Sequence, residues 1–183
     1  MSEQTDQQLI ESFRGGNAHA FNLLVVRYQQ RVYWTARRIL GSHEDAADIV
    51  QEVFLRVYRK LHTFREQSAF YTWLYRITVN LSLNASRKRK ITGFFHLDDL
   101  GMGQPSDGED PEKILVEREQ RSLLDSAVET LPGKQKAVFA MRYHEGLKFN
   151  TIAAILGKSV GGVKSNYFHA LRKIDRYLKE KNA

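Results

Sequence analysis

The sequence predicts an all-α protein built as two small helical domains joined by a flexible acidic linker. Apolar residues recur at three-to-four spacing through residues 1–91 with no sustained period-two alternation. Glycines and short polar residues punctuate that pattern at helix-length intervals, and a Gly-, Pro-, Asp- and Glu-rich stretch breaks it near the middle.

Thr5 can cap a short helix carrying Leu9, Ile10 and Phe13, which Gly15 and Gly16 end. Asn17 can cap a long helix with the stripe Phe21, Leu24, Val25, Tyr28, Val32, Ala36 and Ile39, closed by Gly41. The third helix starts at Ser42, where Ser-x-x-Asp through Asp45 predicts a capping box, and its core face is Ile49, Val50, Val53, Phe54, Val57, Tyr58 and Leu61. A fourth runs from about Ser68 to about Lys88 and buries Phe70, Trp73, Leu74, Ile77 and Leu81. The segment TGFFHLDDLGMGQPSDGEDPEK then loses all periodicity, which marks a linker over 92–112 between a first domain at 1–91 and a second at 113–183. Helix restarts around Asp110 and Pro111. The second unit carries Leu123, Leu124, Ala127, Val128 and Leu131 before Pro132, then Val138, Phe139 and Met141 before Gly146.

The closing stretch FNTIAAILGKSVGGVKSNYFHALRKI reads as two helices around a glycine turn, a unit able to place its second helix in a DNA major groove. Ile152, Ala153, Ile155 and Leu156 form the first helix's stripe and Gly157 stops it. Ser159 can cap the second, whose Val163, Tyr167, Ala170, Ile174 and Leu178 face inward. Lys164, Ser165, Asn166, His169, Arg172 and Lys173 supply the opposite face with the donors and charge that base edges and phosphates require. Gly161 and Gly162 cost about 1 kcal/mol each relative to alanine, which close backbone approach to a phosphate would offset. A helical hairpin with a solvated basic face has the same pattern.

The chain has 183 residues, 42% of them hydrophobic, enough for packed cores. With no cysteine, disulfide frameworks and thiolate zinc sites are excluded. No apolar run approaches the roughly 18 residues of a membrane span, and MSEQTDQQ lacks a signal peptide's order, so a cytoplasmic protein without membrane insertion is expected. The formal charge of +7 is unevenly spread: residues 62–91 carry +5 and 148–183 carry +6, around −6 at 92–112. A polyanion can engage both basic ends through counterion release.

Two further faces of the first domain stand out. HTFREQSAFYTWLYRITVNLSLNASRKRK interleaves Phe64, Phe70, Tyr71, Trp73 and Tyr75 with Arg65, Arg76, Arg87, Lys88, Arg89 and Lys90, a mixture that can stack on unpaired bases while holding the backbone. Thr72, Arg76, Asn80 and Asn84 step by four along one helix face, and an asparagine there can read a base edge. Phe70, Trp73 and Leu74 read as core, whereas Phe64 in the preceding loop and Asn80 on the polar face read as nucleic-acid ligands. On the third helix Asp48, Gln51, Glu52 and Leu55 lie opposite the core stripe, an apolar residue beside carboxylates that suits a protein partner with a basic helix, or an ordinary solvated surface.

These residues resemble, along nearly the whole chain, bacterial RNA polymerase sigma factors of the extracytoplasmic-function (ECF) family, which hold sigma domains 2 and 4. AFNLLVVRYQ from Ala20, DIVQEVFLRVYR from Asp48, SAFYTWLYRITVN from Ser68 and HEGLKFNTIAAILGKSVGGVKSNYF from His144 look like family signatures in the expected order. The resemblance implies binding to core RNA polymerase and to promoter DNA, both duplex and melted, with an anti-sigma factor as a further partner and no cofactor. It places Asp48, Gln51, Glu52 and Leu55 at the polymerase clamp helices. Phe64, Asn80 and the loop between His62 and Tyr71 fall where the family captures a flipped minus-10 base, with Arg76, Arg87 and Lys88 on its backbone. Gly162, Lys164, Ser165, Phe168 and His169 match minus-35 recognition positions, and the acidic linker matches the segment threading polymerase channels. Two departures are visible: Lys148 stands where the family usually has a capping serine, and Asn166 and His169 stand where it usually has arginine, so a different minus-35 preference is expected.

Two other classes compete. Asp98, Asp99, Asp107, Glu109, Asp110 and Glu112 could hold Mg²⁺ in an enzyme, but glycine-rich surroundings do not fix metal geometry, and His43-Glu44 and His144-Glu145 lack the second histidine of a zinc protease motif. A conventional helix-turn-helix regulator acting without polymerase would leave the aromatic and basic first domain unexplained.

Overall fold

A computed structural model of the chain describes residues 4–65, 69–92, 120 and 122–181. The expected linker after Thr92 and the helix start at Asp110 lie outside them. The described residues form helices and connecting turns without a strand: α1 (Asp6–Arg14), α2 (Ala18–Leu40), α3 (His43–Lys60) with a 3-10 turn (Leu61–Thr63), α4 (Phe70–Thr92), α5 (122–129), α6 (Gly133–Phe139) widening into a π-helical turn (Ala140–His144), α7 (Phe149–Leu156) and α8 (Val160–Lys181).

Local chemistry sets the early boundaries. Thr5 and Gln8 form a reciprocal capping box at α1, with Gln8 N donating to Thr5 Oγ1 at 3.3 Å and Thr5 N to Gln8 Oε1 at 2.8 Å. Asn17 Oδ1 accepts from His19 N at the start of α2. Gly41 ends that helix at φ +77°, a conformation an L side chain adopts only with strain. A Cβ at Gly41 would also meet the Glu129 carboxylate, 2.9 Å away at Oε1, a flexible side-chain end that can move aside.

Two expectations are corrected here. Ser42 Oγ accepts from Asp45 N at 3.3 Å, but the Asp45 carboxylate pairs with Arg89 of α4 instead of returning to the cap. The guanidinium offers the carboxylate a full opposite charge, where the cap offers a single backbone N–H. Tyr58, placed in the core by periodicity, is 49% exposed, with its ring edge-on to Phe13 and Phe21. α4 also runs past Lys88 to Thr92.

The cores form three groups. Leu9, Leu24, Val32, Val53, Val57 and Leu74 centre the one that binds α1 to α4. Ala127, Leu131, Phe139, Ala170 and Ile174 join α5, α6 and α8. A third spans both halves, packing Ile39, Tyr75, Val79 and Leu83 from α2 and α4 against Val138, Met141, Ile152, Ile155 and Val163. Tyr75, Val79 and Leu83 repeat every four residues and give α4 a second apolar stripe, so one helix serves two cores.

Candidate nucleic-acid interface

α3 turns Ala46, Ile49, Val53 and Val57 inward and leaves Asp48, Gln51, Glu52 and Leu55 outside, all exposed. Glu52 Oε1 sits 2.5 Å from Arg56 Nη2, an exposed pair one turn apart. Such pairs contribute about 0.3–0.5 kcal/mol, so the carboxylate is readily exchanged for a partner's cation. Leu55 stays 57% exposed beside it.

α4 separates its faces cleanly. Phe70, Leu74 and Leu81 are buried, while Arg76, Asn80, Asn84, Arg87 and Lys88 are exposed, with Arg65 exposed in the loop before the helix. Arg76 Nη2 donates to Ala154 O of α7 at 2.5 Å. Phe64 departs from its expected role. It is 7% exposed, its ring packs on Phe70 and Trp73 with centroids 6.0 and 5.0 Å away, and Arg14 donates to its carbonyl. The ring is core, and burial of its apolar area against two aromatic neighbours outweighs exposure to solvent. Tyr71 is half-buried with its ring 4.3 Å from that of Tyr75, and burial raises its phenol pKa.

In the second half, Gly157 closes α7 at φ +61°, and Ser159 Oγ accepts from Gly162 N at 3.1 Å to start α8. Lys148 precedes α7 without a side-chain cap. Lys164, Ser165, His169, Arg172 and Lys173 are exposed, as the helical pattern predicts. Asn166 is half-buried, and its Nδ2 donates to Gly162 O at 2.8 Å, so part of its hydrogen-bonding capacity is used within the helix. Phe168 is exposed beneath Arg172, whose Cζ is 5.8 Å from the ring centroid.

The two polar surfaces meet. A cleft of about 320 Å³ is lined from one side by Asn80 and Arg87 and from the other by Lys134, Lys158, Gly162 and Asn166. Lys134 and Lys158 were not among the residues singled out from sequence. The available signal was position: Lys134 lies in the first turn of α6 and Lys158 just before α8, where a cation opposes the helix dipole and helix formation gives it no reason to be. Below the cleft Arg38 Nη1 pairs with Glu145 Oε1 at 2.6 Å, and Tyr75 OH donates to Glu145 Oε2 at 3.3 Å. The His144 side chain is exposed, and partial desolvation of its ring with the Arg38 charge nearby moves its pKa down from the ordinary value. No cluster of metal-ligating side chains occurs among the described residues, and the carboxylates proposed for Mg²⁺ lie outside them. No described helix is long and apolar enough to cross a membrane.

The sequence matches family models for sigma-70 region 2 over residues 24–91 and for sigma-70 region 4 over residues 121–174. It is 39% identical to the ECF RNA polymerase sigma-E factor of Escherichia coli K12, covering 96% of this chain and 95% of that one. It is 34% identical to the RNA polymerase sigma-H factor of Pseudomonas aeruginosa, with 97% and 96% covered. Two solved structures share the fold: CnrH bound to the cytosolic domain of CnrY (TM-score 0.70, 23% identity, 96% and 97% covered) and the Bartonella quintana sigma factor RpoE bound to the anti-sigma factor NepR (TM-score 0.67, 21% identity, 87% and 96% covered).

Proposed function

The chain belongs to the ECF family of bacterial sigma factors, alternative sigma factors that bind core RNA polymerase and promoter DNA, and on that premise we propose which of its surfaces does each task. Asp48, Gln51, Glu52 and Leu55 on α3 dock the polymerase clamp, Leu55 supplying apolar area and the carboxylates meeting basic side chains. The exposed face of α4 takes the minus-10 element. Asn80 reads an unstacked base, while Arg76, Asn84, Arg87, Lys88 and the neighbouring Arg65 hold its backbone. Capture there rests on Asn80 with the half-buried Tyr71, and not on Phe64. Gly162, Lys164, Ser165, Asn166, Phe168, His169, Arg172 and Lys173 on α8 take the minus-35 duplex.

The observation supporting this reading most strongly is the division of α4 into a buried aromatic face and an exposed amide and guanidinium face inside the region 2 match. Extruding a base costs a few kcal/mol, and contacts available only to the unpaired form offset that without ATP. Sigma factors are a transcription family not known as enzymes, and a regulator acting without polymerase would leave the match over 24–91 without a purpose. A related fold has been solved with the anti-sigma factor NepR, and we extend to this chain an anti-sigma factor as its regulator and a cytoplasmic location. In vitro transcription with purified core polymerase tests the reading. Discrete start sites that require this protein are expected, and absence of any protein-dependent transcript from a genomic template library would refute it.

A further inference from the structure

Arg38 meets Glu145 at 2.6 Å, Lys136 meets Glu129 at 2.7 Å, and Arg89 meets Asp45, so the fold itself neutralises these cations. Arg87, Lys134 and Lys158 are treated differently. All three are exposed, and none has an ion pair among the described residues. They converge on the cleft of about 320 Å³ where α4 faces α6 and the start of α8, and no carboxylate lines it. A concavity lined by one sign of charge over apolar walls concentrates counter-ions, so this one is set up to hold an anion.

The rest of the lining narrows the class of anion. Leu83, Val138 and Val163 are buried and form an apolar floor, while the three cations stand at its exposed rim. Asn80 and Asn166 add amide groups. Asn166 Nδ2 donates to Gly162 O at 2.8 Å, which leaves its Oδ1 and its second N–H for a ligand, and Asn80 is exposed on α4. An amide pairs in both directions with the edge of a base, an apolar floor accepts the base's face, and several cations match a chain of phosphates. A lone inorganic anion would use the rim and leave the floor uncovered. A neutral ring would do the reverse.

We propose that this cleft binds a nucleoside polyphosphate, its base on the apolar floor within reach of the Asn80 and Asn166 amides and its phosphates held by Arg87, Lys134 and Lys158. The site stands on the cleft alone. Its consequence rests on the assignment of Asn80, Arg87 and Asn166 to promoter DNA: ligand and promoter then draw on the same side chains, and the nucleotide competes with DNA. Lys134 and Lys158 have no assigned promoter contact, so substituting them addresses the nucleotide site separately.

Isothermal titration of the full-length protein with ATP, AMP and inorganic triphosphate, without divalent metal and at fixed salt, tests the site. One ATP per chain is expected, bound about tenfold or more tightly than AMP, which lacks two phosphates, and more tightly than inorganic triphosphate, which lacks the base. Lys134→Gln and Lys158→Gln should each weaken ATP binding about tenfold, the value of one charge-assisted hydrogen bond. Lys148→Gln, at an exposed lysine outside the cleft, should change it by less than about twofold. Thermal unfolding of all three variants should match the parent, because each side chain is exposed. No ATP binding, equal affinity for ATP and inorganic triphosphate, or equal losses from Lys148→Gln and the cleft variants overturns the site. ATP should also displace a labelled pool of randomised duplexes, and less effectively from Lys134→Gln. Saturation of the cleft by ATP without displacement overturns the competition, and with it the shared use of Asn80 and Asn166, while the titration alone decides the site.

Discussion

Truncating Leu55 isolates the polymerase-docking surface from everything that folds the protein. Burying a leucine side chain completely is worth about 1.5–3 kcal/mol. In the free chain Leu55 is 57% exposed, so docking can cover only that remaining part, worth about 1–1.5 kcal/mol. Leu55→Ala retains a small share of it, and the expected loss is about 1 kcal/mol, roughly fivefold in Kd. The same exposure predicts little effect on folding, within about 0.5 kcal/mol. Fluorescence anisotropy of the labelled protein titrated with core polymerase measures the first quantity, and thermal unfolding the second. The loss should appear mainly as faster dissociation, because a neutral truncation leaves electrostatic steering intact. A Kd within about twofold of the parent, with unfolding unchanged, would show that α3 does not bury Leu55 in the complex and would remove the docking assignment.

Three other outcomes follow from the described surfaces. Asn80→Ala should weaken open-complex formation about tenfold while leaving closed duplex binding nearly intact, because its partner is an unpaired base; equal losses in both assays contradict the assignment. Lys164→Ala should lower the salt slope of minus-35 duplex binding by about one if it meets a phosphate, and an unchanged slope takes it off the interface. His144 should titrate below its ordinary value of 6.5 by proton NMR, because partial desolvation and the Arg38 charge both disfavour its cation. The unfolded chain then binds this proton more readily than the folded one, so the residue's stabilising contribution is complete above about 6.5 and falls as pH drops below that value. A midpoint at or above 6.5 would mean that neither desolvation nor the Arg38 charge acts on the ring.

What could be read from sequence was local. Thr5, Asn17, Gly41, Gly157 and Ser159 mark helix ends through bonds spanning a few residues, and each sits where its chemistry requires. The failures all involve distant partners. Asp45 has the spacing of a capping box, yet Arg89, 44 residues away, takes its carboxylate. Phe64 looked accessible because loops are usually exposed, but Arg14 holds its carbonyl and Phe70 and Trp73 enclose the ring. Tyr58 continues the α3 stripe by periodicity, but there is room only for its edge against Phe13 and Phe21. The Tyr75, Val79 and Leu83 stripe was present in the sequence beside the one taken as core. Periodicity shows that such a face must be covered but does not name the cover, and so the docking of the two halves was not legible. Lys134 and Lys158 acquire meaning only once that docking brings them opposite Asn80 and Arg87.

Permanganate probing of a promoter selected by transcription tests the central claim most directly. Reactive thymines should appear across the minus-10 segment only when core polymerase and this protein are both present, and Asn80→Ala should suppress them more than it suppresses binding. Thymine reactivity with polymerase alone, or duplex binding that never yields an opened segment when both are supplied, would contradict the account.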